Sequence, residues 1–557
     1  MKRTITSIIM MLSILCCAAK KKPIVPDTLR NYPSGAIDEY CFRGGKAVVK
    51  GTILNAPSAE YPTIGVVAKD VFKNLDVTDV ITIDSTGHFC KELYLPHSQY
   101  VYLKPLGSAF LAVGDTLEMI VNMDAPTREE GVRFDGTGAT GEVNRIWPLL
   151  QRQYGVAADE RMVDAELSKE EILSWRDKLV GMIDNAARAI DADTISLLQG
   201  CSAFATDILK TNMLVNPSFC LAYGADRCMM QDRINNSEPR FTRKEYFNYL
   251  SQREKYLLNN PLVVMAEDGD SYVNSIEFNY LCAYHFMTNS TPRGYFNYYS
   301  NELKRYVIDY ELSHDFDQVL HQQMIDYEKE QSKGKDNQLF ARSRYYEEAT
   351  KRMMSDYGLK ECGFMMQLCL LHHVLIGVGR ELPNEAIDRV SNHYAAATPM
   401  LTDRAISYHA IDAYRKLAME AAGSISKEEP QTVGDSIFHS IIDQYKGNVL
   451  FVDFWGLSCG PCRSGMLAQR EIVEHFKDAP VKFIYISEDN PEDSEVFTYK
   501  NNIRGEHVYV SHDQWNYLSA HFQFNGIPFS LLLDKKGNIV AHDSFPNIKA
   551  RIEDLLK

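Results

Sequence analysis

A pair of cysteines separated by two residues carries the clearest chemistry in the chain. Cys459 and Cys462 flank Gly460 and Pro461, where an apolar run gives way to an amphipathic pattern. At the start of a helix, unpaired backbone N–H groups and the helix dipole favour a thiolate, which is the form of cysteine that attacks a disulfide. The second sulfur is then within reach of the first and can resolve a mixed disulfide. This spacing predicts thiol–disulfide exchange.

Metal binding is the competing chemistry for a C-x-x-C motif. Structural zinc sites commonly take four ligands, from two such pairs or from one pair and nearby histidines. No second cysteine pair follows Cys462, and Pro461 suits a first helical turn because its missing N–H has no partner to lose there. We therefore expect redox chemistry and no metal at this motif.

An acidic residue interrupts the apolar run that precedes the cysteines. Asp453 lies within Val449–Trp455, six residues before Cys459. A buried carboxylate is costly unless it has a partner or a role, and burial raises its pKa toward neutrality, which suits a general base. The alternative is that this face of the strand is solvated.

The elements that must position these residues alternate between strand and helix. Strands are predicted at Val449–Trp455, Val481–Ser487, His507–Val510, Phe529–Asp534 and Asn538–His542, and helices at Pro461–Phe476, Asp493–Asn501, Gln514–Phe522 and Asn547–Leu556. This order is typical of an α/β fold in which helices cover both faces of a central sheet. We place this C-terminal domain at residues 434–557.

Two segments of this region resemble the thioredoxin family. Asp453–Arg463 (DFWGLSCGPCR) is similar to the active-site segment of thioredoxins, and Asn525–Pro528 (NGIP) is similar to the family's cis-proline loop. The resemblance is to extracytoplasmic reductases of the TlpA and ResA type, which in Bacteroidetes often follow extra domains. It covers about residues 434–557 and implies a thioredoxin-like fold.

The resemblance implies a role for each matching residue. Cys459 would attack the substrate disulfide, and Cys462 would resolve the mixed disulfide. Asp453 would lie beneath the pair and help to move the proton of the resolving thiol. The peptide between Ile527 and Pro528 would be cis and would offer backbone groups to an extended substrate strand beside Cys459. An ordinary proline at the start of a strand is the alternative.

Further substrate-binding positions are expected around the cysteines, at Trp455, Gly460 and Pro461. Ser458 stands where thioredoxins usually carry a tryptophan, and its small side chain opens the surface beside the first cysteine, which affects the choice of substrate. Glu488 follows the second strand of the domain, where ResA-like proteins carry an active-site glutamate. A solvated acid at the end of a strand is the alternative.

The rest of the chain divides by pattern into a β region and a helical region. Short runs rich in valine, isoleucine and aromatic residues, separated by turn signals, predict an antiparallel β-sandwich at residues 36–138. Apolar residues at three- and four-residue spacing predict an all-α region at 140–422. The polar stretch at 423–433 contains a proline and is typical of a linker. The expected fold is therefore multidomain.

The first 19 residues have the pattern of an export signal. Lys2 and Arg3 precede an apolar stretch that is too short to span a bilayer as a stable helix. Small residues fit cleavage after position 19, whereas acylation of Cys16 or Cys17 would give a lipid anchor. We expect a periplasmic protein, either soluble or attached to a membrane by lipid alone. The net charge of −15, without a later basic run, argues against nucleic acid as a partner.

Eight further cysteines follow the signal region. Disulfides are feasible in an oxidising compartment, but the spacing is irregular and buried free thiols are the favoured interpretation. Two of them share a predicted helix with His372 and His373, where a metal site is conceivable but buried packing is favoured because no carboxylate accompanies them. The eight are Cys41, Cys90, Cys201, Cys220, Cys228, Cys282, Cys362 and Cys369, of which the last two lie in that helix.

Together these patterns predict a periplasmic thiol–disulfide oxidoreductase. We expect a reductase, because Gly-Pro between the cysteines resembles the reducing thioredoxins. Its redox group would be the Cys459–Cys462 disulfide, with no other cofactor. Its partners would be disulfide-bonded protein substrates and an upstream thiol that donates electrons. The alternatives are a disulfide oxidase or isomerase, and a binding or scaffold protein in which the thioredoxin-like module is accessory.

Overall fold

The computed structural model describes residue 42 and the ranges 44–277, 346–375 and 383–557, with gaps at 56–62, 235–239, 249–254, 423–431 and 543–546 and several of one to three residues. The predicted export signal, most of the predicted linker, Cys41 and Cys282 lie outside the described residues. Among the helices that are described, none has the length and apolar character needed to cross a membrane.

In the described part of the N-terminal region, eight strands form two four-stranded sheets. The first sheet has the order β4-β1-β7-β8 and the second the order β3-β2-β5-β6. The strands are β1 Gly45–Leu54, β2 Thr63–Asp70, β3 Leu75–Thr82, β4 His88–Leu95, β5 Gln99–Lys104, β6 Gly107–Leu111, β7 Thr116–Asn122 and β8 Val132–Gly136. β6 and β8 were not predicted, since both are short and carry few β-branched residues.

Alternation along the strands gives this region its apolar core. In β7, Leu117, Met119 and Val121 are buried, and the residues between them are exposed. This is the pattern of a strand with one face on a core and one toward solvent. Both sheets contribute side chains to the same apolar core.

One strand pair departs from the antiparallel arrangement expected for this region. β1 and β7 run parallel, with Val48 opposite Thr116 and Leu54 opposite Asn122. A parallel pair needs a long crossover, and here the chain visits the second sheet twice before β7 returns beside β1. Short strand patterns do not reveal such a partner, because the pairing depends on residues far apart in the sequence.

The helical region is organised around one long, buried helix. Its longer helices are α1 Gly138–Tyr154, α2 Lys169–Asp191, α3 Ala203–Ile234, α4 Gly269–Glu277, α5 Phe364–Val374, α6 Pro383–Ala397 and α7 Arg404–Ala421. α1, α2 and α4 pack against α3, where Met213, Val215 and Leu221 have no exposed surface. Ser168 caps α2 and forms a reciprocal capping box with Glu171, which fixes where that helix begins.

The cysteine- and histidine-bearing helix α5 is buried along its whole length. His372 Nδ1 lies 2.8 Å from Glu277 Oε2, and its Nε2 lies 2.5 Å from the carbonyl oxygen of Val71 in the β region. Cys369 and His373 are also buried. Among the described residues, no group of three or more potential metal ligands comes together. These contacts are those of a packed helix that joins the helical and β regions.

The other described cysteines are free thiols in varied surroundings. Cys220 and Cys228 are buried, Cys201 and Cys362 are half-buried, and Cys90 is exposed on β4. Buried free thiols were expected, and Cys90 departs from that expectation because it lies on the outer face of its strand.

In the described part of the C-terminal region, five strands form one sheet with the order β11-β10-β9-β12-β13. β9, β10 and β11 are parallel, and β12 runs antiparallel to β9 and to β13. The strands are β9 Val449–Phe454, β10 Val481–Ser487, β11 Glu506–Tyr509, β12 Phe529–Leu533 and β13 Ile539–His542, and the helices are α8 Val433–Ile442, α9 Gly460–His475, α10 Pro491–Lys500, α11 His512–Phe522 and α12 Ile548–Leu556.

Helices cover both faces of this sheet, as predicted. Leu450, Val452 and Phe454 of the central strand β9 pack in a core with side chains of α8 and α11. Phe451 and Trp455 point the other way, into a core with side chains of α9, α10 and α12. Strand β9 is therefore buried on both sides.

Helix α8 was not predicted. The Thr432 side chain accepts a hydrogen bond from the Asp435 N–H and caps it. The expected domain start at residue 434 therefore falls inside the first turn of α8. Its apolar residues Phe438, Ile441 and Ile442 belong to the core of the C-terminal sheet.

Candidate active site

The two motif cysteines form a disulfide at the start of α9. Their Cα atoms are 5.3 Å apart, and Cys459 is the residue that caps the helix. The Cys462 N–H points at Cys459 Sγ over 3.1 Å. This N–H belongs to the first turn and lacks an intrahelical acceptor, so it can stabilise a thiolate on Cys459 when the pair is reduced.

The two sulfurs differ in access. Cys459 is half-buried, whereas Cys462 is 1% exposed and packs in the core beneath α9. Between them in the first turn of α9, Gly460 is half-buried and Pro461 is exposed. An incoming disulfide can therefore reach Cys459 and not Cys462.

The proline loop borders the accessible cysteine. The Ile527–Pro528 peptide bond is cis, and the carbonyl oxygen of Ile527 lies 3.6 Å from Cys459 Sγ. Asn525 and Gly526, which precede this peptide, are exposed. The backbone of this loop is therefore open to a polypeptide that approaches Cys459.

Asp453 is buried in the centre of the sheet, on the side of Cys462. It is 3% exposed and lies opposite Tyr485 on β10 and Ser530 on β12. Because side chains alternate along β9, Asp453 shares the face of Phe451, which packs in the same core as Cys462. The solvated alternative is therefore excluded at this position.

Burial sets the electrostatics of this carboxyl group. The pKa of Asp453 is raised to about 7, mainly because the carboxyl group is buried away from solvent. A 2.8 Å hydrogen bond from the Ser530 hydroxyl acts in the opposite direction and limits the rise. A carboxyl group with a pKa near neutrality can accept or release a proton under physiological conditions.

Sequence comparisons match the C-terminal region to known proteins. A thioredoxin-like family model matches residues 447–539. Over 147 residues the chain is 24% identical to the thiol-disulfide oxidoreductase ResA of Bacillus cereus, a match that covers 24% of this chain and 83% of that protein. ResA of Bacillus anthracis is 28% identical over 137 residues, covering 24% of this chain and 77% of the relative.

The C-terminal region contains a thioredoxin-like domain and is similar to the thiol-disulfide oxidoreductase ResA. The similarity to these enzymes supports an oxidoreductase. Among solved structures, the thioredoxin domain of a thiol-disulfide oxidoreductase from Bacteroides vulgatus is 23% identical, covers 21% of this chain and 84% of that chain, and superposes with a TM-score of 0.20.

Trp455 of the thioredoxin-like domain differs from its expected role as a substrate-facing residue. It is 1% exposed and packs against Phe497 of α10 with ring centroids 5.8 Å apart. Trp455 lies two residues after Asp453, so strand alternation places both side chains on the same buried face of the sheet. Trp455 therefore supports the site from below and offers no surface to a substrate.

Glu488 lies at the rim of the thioredoxin-like domain's site. Its side chain is 37% exposed, and its Oε2 lies 3.1 Å from His512 Nδ1 at the start of α11. The next residue, Asp489, holds the segment before the cysteines, since its Oδ2 accepts a hydrogen bond of 2.5 Å from the Leu457 N–H. A side chain at Gly456 would come within 3.2 Å of that carboxylate, so this close approach favours glycine.

Three polar residues near this site were not predicted from the sequence. Ser530 could have been found as the one polar residue within the apolar strand Phe529–Leu533. Asp489 gives no sequence signal that separates it from an ordinary loop acid. Lys104 lies in the β region, and only the tertiary structure brings it to the proline loop.

Proposed function

We propose that this chain is a periplasmic thiol–disulfide reductase that works through the Cys459–Cys462 pair. The observation that carries the proposal is the unequal access of the two sulfurs: Cys459 borders the open proline loop, and Cys462 is buried on the side of Asp453. A reductase needs one thiol that meets the substrate and one that meets only the intermediate.

In the first step, the reduced Cys459 acts as the nucleophile. Its thiolate, held by the Cys462 N–H, attacks one sulfur of a substrate disulfide. The substrate S–S bond breaks, a mixed disulfide forms with Cys459, and the other substrate sulfur leaves as a thiolate that takes a proton from solvent. An extended substrate segment would align along the backbone at Ile527 during this attack.

In the second step, Cys462 resolves the mixed disulfide. Its thiol gives its proton to the Asp453 carboxylate, and the resulting thiolate attacks Cys459 Sγ. The bond between Cys459 and the substrate breaks, and the substrate leaves with its second thiol reduced. Two electrons have then passed to the substrate, and the Cys459–Cys462 disulfide has formed. A separate thiol donor of the compartment must reduce it again.

Two different functions compete with this one. A disulfide oxidase or isomerase would use the same cysteines at a higher reduction potential. A scaffold protein would use the N-terminal three-quarters of the chain for binding and the thioredoxin-like domain as an accessory. The Gly-Pro pair between the cysteines, which resembles that of reducing thioredoxins, favours reduction.

We further propose that the two N-terminal sheets form a β-sandwich domain, since they share one apolar core.

The location in the periplasm follows from the predicted export signal, with release at position 19 or acylation at Cys16 or Cys17. No cofactor beyond the cysteine pair is needed for the two steps above.

The reduction potential of the cysteine pair, measured in a glutathione redox buffer, tests whether the protein reduces or oxidises its substrates. A value near that of reducing thioredoxins supports a reductase, and a value near that of strong oxidants such as DsbA would establish the oxidase instead.

A further inference from the structure

The second N-terminal sheet packs directly on the thioredoxin-like domain through α11. The Thr63 hydroxyl donates a hydrogen bond of 2.5 Å to Asp513 Oδ1 and accepts one of 3.1 Å from Asn516 Nδ2. Thr63 and Asn516 are both buried, at 2% and 3% exposure. A methyl group at Gly65 would lie 2.7 Å from Asn516 Oδ1, so the two surfaces meet without space between them.

A second set of contacts ties β3 to the end of α11. The Gln523 side chain accepts a hydrogen bond from the Thr78 N–H and donates one to the Thr78 carbonyl, at 3.0 and 2.9 Å. The Thr78 hydroxyl also donates to the Ser519 carbonyl over 2.9 Å. Gln523 precedes Ile527 by four residues, so the β region is fixed to the segment that leads into the proline loop.

Lys104 extends this contact to the loop itself. It is the last residue of β5, and its Nζ donates a hydrogen bond of 3.5 Å to the carbonyl oxygen of Asn525, two residues before Ile527. The side chain is half-buried. Tyr102, on the same face of β5, is 41% exposed, so the sheet next to the loop remains open to solvent.

The charge of Lys104 has no ion-pair partner among the described residues. The carboxylates that act on it electrostatically are Glu488 and Asp76, and each contacts a different side chain. Glu488 lies 3.1 Å from His512 Nδ1, and Asp76 lies 3.5 Å from Lys69 Nζ. A half-buried cation beside an open binding loop can be neutralised by a carboxylate that a ligand supplies.

We propose that the β region forms one wall of the substrate groove and that Lys104 selects substrates carrying an acidic residue near the reactive disulfide. The occupant is the extended substrate segment that aligns along Ile527, so this inference rests on the proposed function. Lys104 is then a specificity-determining residue supplied by a different domain from the one that holds the cysteines.

The geometry limits where the acidic residue can lie. Two residues of backbone span at most about 7 Å, which puts Lys104 Nζ within about 14 Å of Cys459 Sγ by way of Asn525 and Ile527. An extended strand rises about 3.3 Å per residue. The acidic residue should therefore lie within about four positions of the substrate cysteine.

The test uses the reduced full-length protein and peptide disulfides. Each peptide carries a single glutamate at one of the four positions on either side of its cysteine, with a glutamine peptide as its match. The measured quantity is the ratio of kcat/KM for the glutamate peptide to that for the glutamine peptide. For at least one position we expect a ratio of about five, which is the usual limit for a partly exposed ion pair. The ratio should fall toward one at high salt.

Variants of two lysines complete the experiment. Lys104→Gln should bring the ratio to one, and Lys104→Glu should invert it, whereas Lys500→Gln, at the far end of α10, should keep the wild-type ratio. If the wild-type protein reduces both peptides with a ratio of one at every position, the role of Lys104 is overturned and the proposed reductase function stands. A wild-type protein that reduces neither these peptides nor hydroxyethyl disulfide would overturn both proposals.

Discussion

The Ser530 hydroxyl donates a hydrogen bond of 2.8 Å to Asp453 Oδ1 across the β9–β12 pair. The two residues are direct partners in the strand register, and Tyr485 lies opposite Asp453 on the other neighbouring strand. A donor to the carboxylate stabilises its charged form and opposes the effect of burial. Ser530 thereby helps to keep the pKa of Asp453 near neutrality, as the proposed proton transfer from Cys462 requires.

Ser530→Ala should move the pH dependence of the resolving step toward alkaline pH. The substitution removes the donor, and hydrogen bonds to charged groups contribute about 1.5–3 kcal/mol, which corresponds to about one to two pH units. Because less Asp453 is then ionised at neutral pH, resolution should slow several-fold there. Rapid-quench measurement of mixed-disulfide decay between pH 5 and 10 gives the profile.

Ser530→Thr is the matched control, since it keeps a hydroxyl group on β12 and should keep the wild-type profile. An alanine variant with the wild-type pH profile would mean that the Ser530 hydroxyl does not tune the base of this step.

The sequence predicted the chemistry and the C-terminal elements better than it predicted the surroundings of the site. The C-x-x-C spacing and the apolar run around Asp453 are local patterns, so they place Cys459, Cys462 and a buried acid without knowledge of the fold. Trp455 was assigned to the substrate surface because strand alternation was not applied to it. The pairing of Ser530 with Asp453 depends on the strand register, which places the two residues opposite each other.

Long-range contacts explain most of what the sequence could not supply. The parallel pairing of β1 with β7 and the approach of Lys104 to Asn525 join residues that no local pattern connects. α8 was missed because its start adjoins a polar stretch, and only its contribution to the core shows that it belongs to the C-terminal domain. Composition alone cannot locate such contacts, since they depend on tertiary packing.

Cys459→Ser should abolish insulin reduction, because no thiolate remains to attack the substrate. Cys462→Ser should leave Cys459 reactive but unable to release its product, so a covalent adduct with the substrate accumulates. Mass spectrometry of the trapped species identifies the substrate. Full insulin reduction by the Cys459 variant would remove the central claim. Mutation of the exposed Cys90 to serine should leave insulin reduction unchanged.

A fragment of residues 428–557 should fold and reduce hydroxyethyl disulfide, because it contains the complete sheet, both cysteines and the proline loop. It lacks Lys104, so it should show no preference for glutamate peptides. A fragment that starts at residue 434 lacks the Thr432 cap and should be less stable by about 1 kcal/mol. Circular dichroism and urea unfolding compare the two fragments, and an unfolded 428–557 fragment would show that the domain depends on its contacts with the β region.

Asp453→Asn should slow resolution of the mixed disulfide, most strongly near neutral pH. The amide keeps the shape of the side chain and removes the base. At high pH the Cys462 thiol ionises unaided, so the rate should recover there. Rapid-quench measurement of mixed-disulfide decay between pH 5 and 10, as for the Ser530 variants, gives the pH profile of the rate. An unchanged profile would refute the assigned role of Asp453.

The same substitution should change how stability depends on pH. The pKa of Asp453 is about 7 in the folded protein, against 3.8 for the unperturbed group. Between these values the folded protein keeps a proton that the unfolded chain has released, so the wild type loses stability as pH rises through this window. The asparagine variant escapes that loss, and its advantage should grow with pH to at most about 4 kcal/mol above pH 7. Hydrogen exchange of the β9 amides in the oxidised protein measures this stability difference. The rates are taken at pH 4.5 and pH 8 and corrected for intrinsic exchange. A local measurement is needed because a chain with several domains does not unfold in a single step. An advantage that is the same at both pH values would mean that Asp453 ionises normally in the folded state.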